Sequence, residues 1–243
     1  LVIALRDGVY RAREWGGALT LVQRFAHDPA TTRFNDGKAD TLGRFWAGTM
    51  FEPRTAAAAE LFALDCRAGG APVVQRMATG ATIANGLAWS PDNGTVYWTD
   101  TTTALIRAWD WDAASNTLRR EREFARFPDK PAGWTFGHSR EESGYEGRPD
   151  GAAVDAQGNY WAAMFEGAQV VKLSPAGEVL ARIPVPAQCP TMPCFGGDDL
   201  QTLYVTTASY KRPADELARL PLSGCTLALR VDVPGLPVNF FVD

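Results

Sequence analysis

Apolar and polar positions alternate in short runs along this chain, and the runs recur. Leu105-Ile106-Arg107-Ala108-Trp109-Asp110 and Gln169-Val170-Val171-Lys172-Leu173-Ser174 carry the two-residue period of half-buried strands. A second kind of run starts from a turn and enters a short aromatic or β-branched strand. Its copies are Gly43-Arg44-Phe45-Trp46-Ala47-Gly48, Gly94-Thr95-Val96-Tyr97-Trp98-Thr99, Gly158-Asn159-Tyr160-Trp161-Ala162-Ala163 and Gln201-Thr202-Leu203-Tyr204-Val205-Thr206. Trp46, Tyr97, Trp161 and Tyr204 follow one another at 51, 64 and 43 residues, the length of a four-stranded unit. Further strands precede each copy, as in Gly86–Asn93 and Gly151–Gln157. Val2 to Arg24 reads as the last three strands of another such unit.

Repeats of four short strands joined by Gly, Pro, Asp and Asn turns predict an all-β propeller rather than an open β-sandwich. Four blades and part of a fifth are countable, and residues 1–243 read as one propeller domain. Trp89, Trp98 and Trp161 are expected in the packing between blades. Helix signals are few: only Thr55 to Leu64 is rich in helix-forming alanines, with Pro53 able to start a turn. Trp109-Asp110 and Trp111-Asp112 resemble the signature dipeptide of another propeller class, but they fall in one repeat and lack its Gly-His partner.

Composition narrows the function. A formal charge of −4 with both signs interspersed predicts neither nucleic acid nor a membrane as partner and leaves a small molecule. Cys66, Cys189, Cys194 and Cys225 form no Cys-x-x-Cys pair, and His27 and His138 lie far apart, so a metal would be held through oxygen. The four cysteines do not amount to a disulfide scaffold, which makes reduced thiols in the cytoplasm the expectation. There is no run of about 18 apolar residues and no basic leader. Leu1-Val2-Ile3-Ala4-Leu5 starts as if inside a strand, without Met, which reads as an N-terminal truncation or incomplete representation.

Three polar clusters stand at equivalent points of their repeats: Arg33-Phe34-Asn35-Asp36-Gly37-Lys38, Ile83-Ala84-Asn85-Gly86-Leu87 and Arg148-Pro149-Asp150-Gly151-Ala152. Alone, each Asn-Gly or Asp-Gly pair is an ordinary chain-reversing turn. Together, equivalent loops of successive blades converge on one end of a propeller, which points to a shared site of amide and carboxylate oxygens for a hard cation. There is no Gly-x-Ser-x-Gly nucleophile elbow. His138, in the polar run His138-Ser139-Arg140-Glu141-Glu142, reads as a surface histidine.

The runs Arg33–Met50, Asn85–Thr101, Pro149–Gly167 and Pro190–Ser209 follow one another through nearly the whole chain, and in that order the sequence resembles the regucalcin (senescence marker protein) and gluconolactonase family. The resemblance implies a six-bladed propeller, one divalent cation (Ca, Zn, Mg or Mn) and hydrolysis of sugar lactones. It makes Asn85 and Asp150 metal ligands, Asp150 also the general base, and Arg33 and Asn35 contacts to the sugar hydroxyls. A substrate-contacting family glutamate aligns with Pro53, beside Glu52, so Glu52 is assigned to the substrate. The family's third ligand, a glutamate of a Gly-Glu-Gly-Pro motif, has no counterpart here and is expected upstream of Leu1. The expected protein is therefore a metal-dependent aldonolactonase, a monomer or small homo-oligomer. The alternatives are a metal-binding propeller without turnover and a hydrolase of organophosphates or aryl esters.

Overall fold

A computed structural model describes residues 1–138 and 143–243, so positions 139–142 of the polar run after His138 lie outside the described residues. The described chain is an all-β propeller of five antiparallel sheets. It divides into two compact units, Leu1–Asn85 with Asp112–Leu118 and Val238–Asp243, and Gly86–Trp111 with Arg119–Pro237.

In the first unit, β1 (Val2–Ala4), β2 (Gly8–Arg11) and β3 (Thr20–Arg24) form a three-stranded sheet, as the opening run predicts. β4 (Thr32–Ala39), β5 (Phe45–Phe51), β6 (Ala59–Asp65) and β7 (Val73–Ala81) form a four-stranded meander. Val9, Phe34, Phe45, Ala47 and Leu64 pack into one apolar cluster. The second unit carries most of the sheet β8 (Ala84–Trp89), β9 (Thr95–Asp100), β10 (Leu105–Asp112) and β11 (Thr117–Arg126). It also holds β12 (Arg148–Val154), β13 (Tyr160–Phe165), β14 (Gln169–Leu173) and β15 (Val179–Pro184). Last come β16 (Pro190–Gly196), β17 (Thr202–Thr207), the helix α1 (Ala214–Arg219) and β18 (Thr226–Arg230).

Burial falls across each four-stranded sheet. β5, β8 and β13 are almost wholly buried and apolar, whereas β7, β11 and β15 are mostly exposed. β11 is the outer strand of its sheet, and its Arg119-Arg120-Glu121-Arg122-Glu123 run charges that edge against pairing with another chain. Trp89, Trp98 and Trp161 are buried, as expected.

The turn between the first two strands is built the same way in two sheets. Asp40 accepts hydrogen bonds from the Leu42 and Arg44 amides at 2.9 and 3.0 Å and from Trp46 Nε1 at 2.9 Å. Asp155 accepts them from the Gln157 and Asn159 amides at 2.9 Å each and from Trp161 Nε1 at 3.0 Å. Both carboxylates are fully buried, and these donors replace the water they lose.

Three expectations need correction. The described residues form five sheets of three or four strands, so six blades are not present. The alanine-rich stretch is not a helix: Thr55 to Ala58 is irregular, and from Ala59 it is strand, where Ala59, Leu61 and Ala63 alternate into the core and burial overrides the helix preference. The helix α1 carries no earlier signal. The Asn-Gly and Asp-Gly pairs are not chain-reversing turns but lie inside the first strands of their sheets. Among the described residues no helix is long and apolar enough to cross a membrane.

Candidate active site

The polar clusters occupy irregularities in first strands. Phe34 pairs with Thr49 and Gly37 with Ala47, leaving Asn35 and Asp36 together opposite Gly48. On β12, Pro149 pairs with Met164 and Ala152 with Ala162, leaving Asp150 and Gly151 opposite Ala163. A bulge of this kind places two residues against one and re-aims their side chains. Gly86 has φ +57°, and a Cβ there would lie 2.3 Å from Tyr160 Oη, whose hydroxyl donates to Gly86 O at 2.7 Å. Only glycine fits this approach, and it fixes the backbone immediately after Asn85.

On β4, Arg33 and Asn35 share the less buried face, while Phe34 and Asp36 are buried. Arg33 Nη1 donates to Asn35 Oδ1 at 3.1 Å and to Phe34 O at 2.9 Å. Asn35 Nδ2 donates to Asn85 Oδ1 at 3.0 Å and to Ala84 O at 2.9 Å. Behind Arg33, its Nε donates to Glu52 Oε1 at 3.3 Å. The first unit thus joins Glu52, Arg33, Asn35 and Asn85 in one hydrogen-bonded line. Asn85 is buried, and Arg33 and Asn35 are half-buried.

Arg6 extends the line and carries no sequence signal. It grips Glu52 through Nη1 at 2.7 Å and Nη2 at 3.1 Å, across 46 residues. That grip is the main cause that holds the Glu52 carboxyl below its ordinary pKa, with the charge of Arg33 adding to it.

Asp150 lies in the second unit, half-buried on β12. Asn85 in the first unit carries an amide oxygen, and Asp150 in the second a carboxylate. Among the described residues no group of three His, Cys, Asp or Glu side chains is placed to hold a metal ion. Oxygen donors with few protein ligands fit a hard divalent cation and not a closed thiolate or imidazole site.

The second unit contains another concentration of charge. Glu166 Oε1 accepts from Lys130 Nζ at 2.8 Å and Arg212 Nη1 at 3.1 Å, and Oε2 from Arg148 Nη2 at 3.0 Å and Tyr145 Oη at 3.1 Å. Arg212 also holds the fully buried Glu216 at 2.5 and 2.8 Å. Burial pushes the Glu166 pKa up, but the Lys130 hydrogen bond and the charge of Arg148 reverse this and leave it below the ordinary glutamate value. Burial pushes the nearby Cys189 thiol up to about 11, which keeps it inert at neutral pH. His138 is exposed.

Comparison with known proteins follows the same line. The family described as the SMP-30/gluconolactonase/LRE-like region matches residues 1–209. The chain is 42% identical over 245 residues to 6-deoxy-6-sulfogluconolactonase of Pseudomonas putida, covering 99% of this chain and 76% of that one. The calcium-binding protein regucalcin of Agrobacterium tumefaciens superposes with a TM-score of 0.84 at 26% identity, over 99% of this chain and 75% of that one. A gluconolactonase of Xanthomonas campestris superposes with a TM-score of 0.62 at 25% identity, over 83% of this chain and 62% of that one.

Proposed function

The chain belongs to the SMP-30/gluconolactonase/LRE-like family, and from that premise we propose that it opens aldonolactones to aldonic acids with one divalent cation. It is a lactonase of the gluconolactonase kind. The observation that carries the finer reading is the unbroken line from Glu52 through Arg33 and Asn35 to Asn85. A cation alone would need Asn85; an arginine and an amide lined up beside it suit a polyhydroxylated substrate.

In this reading Asn85, on the first unit, and Asp150, on the second, would each be an oxygen ligand of the cation, which when bound would supply Lewis-acid charge. Arg33 and Asn35 orient the ring by hydrogen bonds to its hydroxyls, and Glu52 keeps Arg33 in place. Asp150 takes a proton from the attacking water as the water oxygen bonds to the carbonyl carbon. The ring C–O bond then breaks, Asp150 returns the proton to the departing ring oxygen, and the product is the open hydroxy acid.

The test is a pH-stat screen of five- and six-membered aldonolactones beside a phosphotriester and an aryl ester. It is run on the purified protein, after chelation, and after return of Ca, Zn, Mg or Mn. Aldonolactone hydrolysis that disappears on chelation and returns with a cation is expected, and Asp150→Ala should lower it about 100-fold or more. Full turnover by Asp150→Ala, or preference for the phosphotriester, overturns the assignment.

A further inference from the structure

We propose that Arg148 and Lys130 receive an anionic substituent of the substrate, so that the preferred lactone carries a carboxylate, sulfonate or phosphate away from the ring carbonyl. This rests on the lactonase reading, with Asp150 at the reacting end.

Arg148 stands two residues before Asp150 on β12, where exposure alternates from Arg148 to Gly151, so the two share the less buried face. Among the described residues, Lys130, Arg148 and Arg212 face the two carboxylates of Glu166 and Glu216, which leaves one positive charge in excess. Arg212 is saturated, with Nε and Nη2 on Glu216 and Nη1 on Glu166. Arg148 is not. Its hydrogen bond to a carboxylate runs from Nη2 to Glu166, the Tyr145 hydroxyl lies beside it, and the guanidinium sits over the Phe165 ring at 5.5 Å. The side chains of Arg148 and Lys130 remain 21% and 35% exposed, open enough to meet a ligand. Arg212 and Tyr145 are fixed partners of Glu166 and act as its anchor.

Glu166 stands in the turn between β13 and β14 at φ +66°. Four donors on one carboxylate hold its side chain, and Glu166 in turn fixes the Arg148 guanidinium through one corner. A planar oxyanion can accept from the exposed part of such a guanidinium while Glu166 holds the rest.

The test compares kcat/KM for gluconolactone with that for analogues bearing a carboxylate, a phosphate or a sulfonate at the carbon farthest from the ring carbonyl. At low salt at least one anionic analogue should exceed the neutral lactone by about tenfold, the worth of one charge-assisted hydrogen bond. Arg148→Met should lower the anionic-to-neutral ratio by about the same factor, mainly through KM, and Arg148→Lys should restore part of it. Arg126→Gln, at an exposed pair with Glu123 on β11, should leave the ratio unchanged. A wild-type ratio at or below one, or equal losses on both substrates in Arg148→Met, overturns the proposal. If Arg148→Met does not fold, the wild-type ratio and competition by inorganic phosphate decide it. Hydrolysis of neutral lactones alone overturns this inference only; hydrolysis of no lactone overturns the lactonase reading with it.

Discussion

Each unit gathers basic side chains around one glutamate, and the two gatherings differ in what surrounds them. Glu52 is 34% exposed and its partners Arg6 and Arg33 are 47% and 36% exposed. Glu166 is 5% exposed, with Arg212 at 11% and Arg148 at 21%. Both carboxyls titrate below their ordinary value, Glu52 mainly through the Arg6 hydrogen bond, Glu166 against the pull of its own burial. Exposed pairs are screened by water and contribute at most about 1 kcal/mol. A buried carboxylate cannot be removed without leaving its cations uncompensated. The contrast therefore assigns different work to similar chemistry: the Glu52 group orients Arg33, while the Glu166 group is a fixed part of the fold in which Arg148 stays partly exposed.

The largest effect that would break this contrast is in stability. Glu166→Ala should destabilise the protein by about 3–5 kcal/mol in denaturant unfolding, because three cations lose their shared carboxylate. A loss under about 1 kcal/mol would make the two centres equivalent. Next is the acid response. The folded pKa of Glu166 is lowered, so the unfolded chain binds its proton first as pH falls. Its stabilisation is complete above the ordinary glutamate range and is lost as pH drops through the lowered value. Thermal melts between neutrality and strong acid should show the wild-type advantage over Glu166→Gln shrinking on that side, and a constant gap would contradict it. The smallest effect in stability sharpens the other half. Glu52→Ala should leave the unfolding midpoint almost unchanged, yet raise the KM for a lactone, since Arg33 loses the acceptor of its Nε. An unchanged KM would reduce Glu52 to a surface charge.

Much of the architecture was readable before any coordinates. The aromatic repeats at Trp46, Tyr97, Trp161 and Tyr204 mark strands of four separate sheets, and Val2–Arg24 forms three strands as expected. Thr55–Leu64 misled because alanine favours helix locally while β6 is decided by its buried face. The Asn-Gly and Asp-Gly pairs were ambiguous because a turn and a bulge draw on the same residues. Arg33, Asn35 and Asn85 stand out as polar clusters of the repeats, family resemblance assigns roles to them and to Glu52, and their direct linkage emerged from the fold. Arg6 and the Glu166 centre gave no signal, since Glu166 meets partners 18, 36 and 46 positions away.

What the sequence determined alone was local: where strands run, which positions alternate inward, and which glycines permit the backbone beside Asn85 and Asp150. Those outcomes follow from dihedral preference and a two-residue period, which act between neighbours. Which carboxylate meets which guanidinium, and whether water screens the pair, was decided only in three dimensions, because both depend on packing between residues far apart in the chain. Burial, more than residue type, separates the adjustable centre at Glu52 from the fixed one at Glu166.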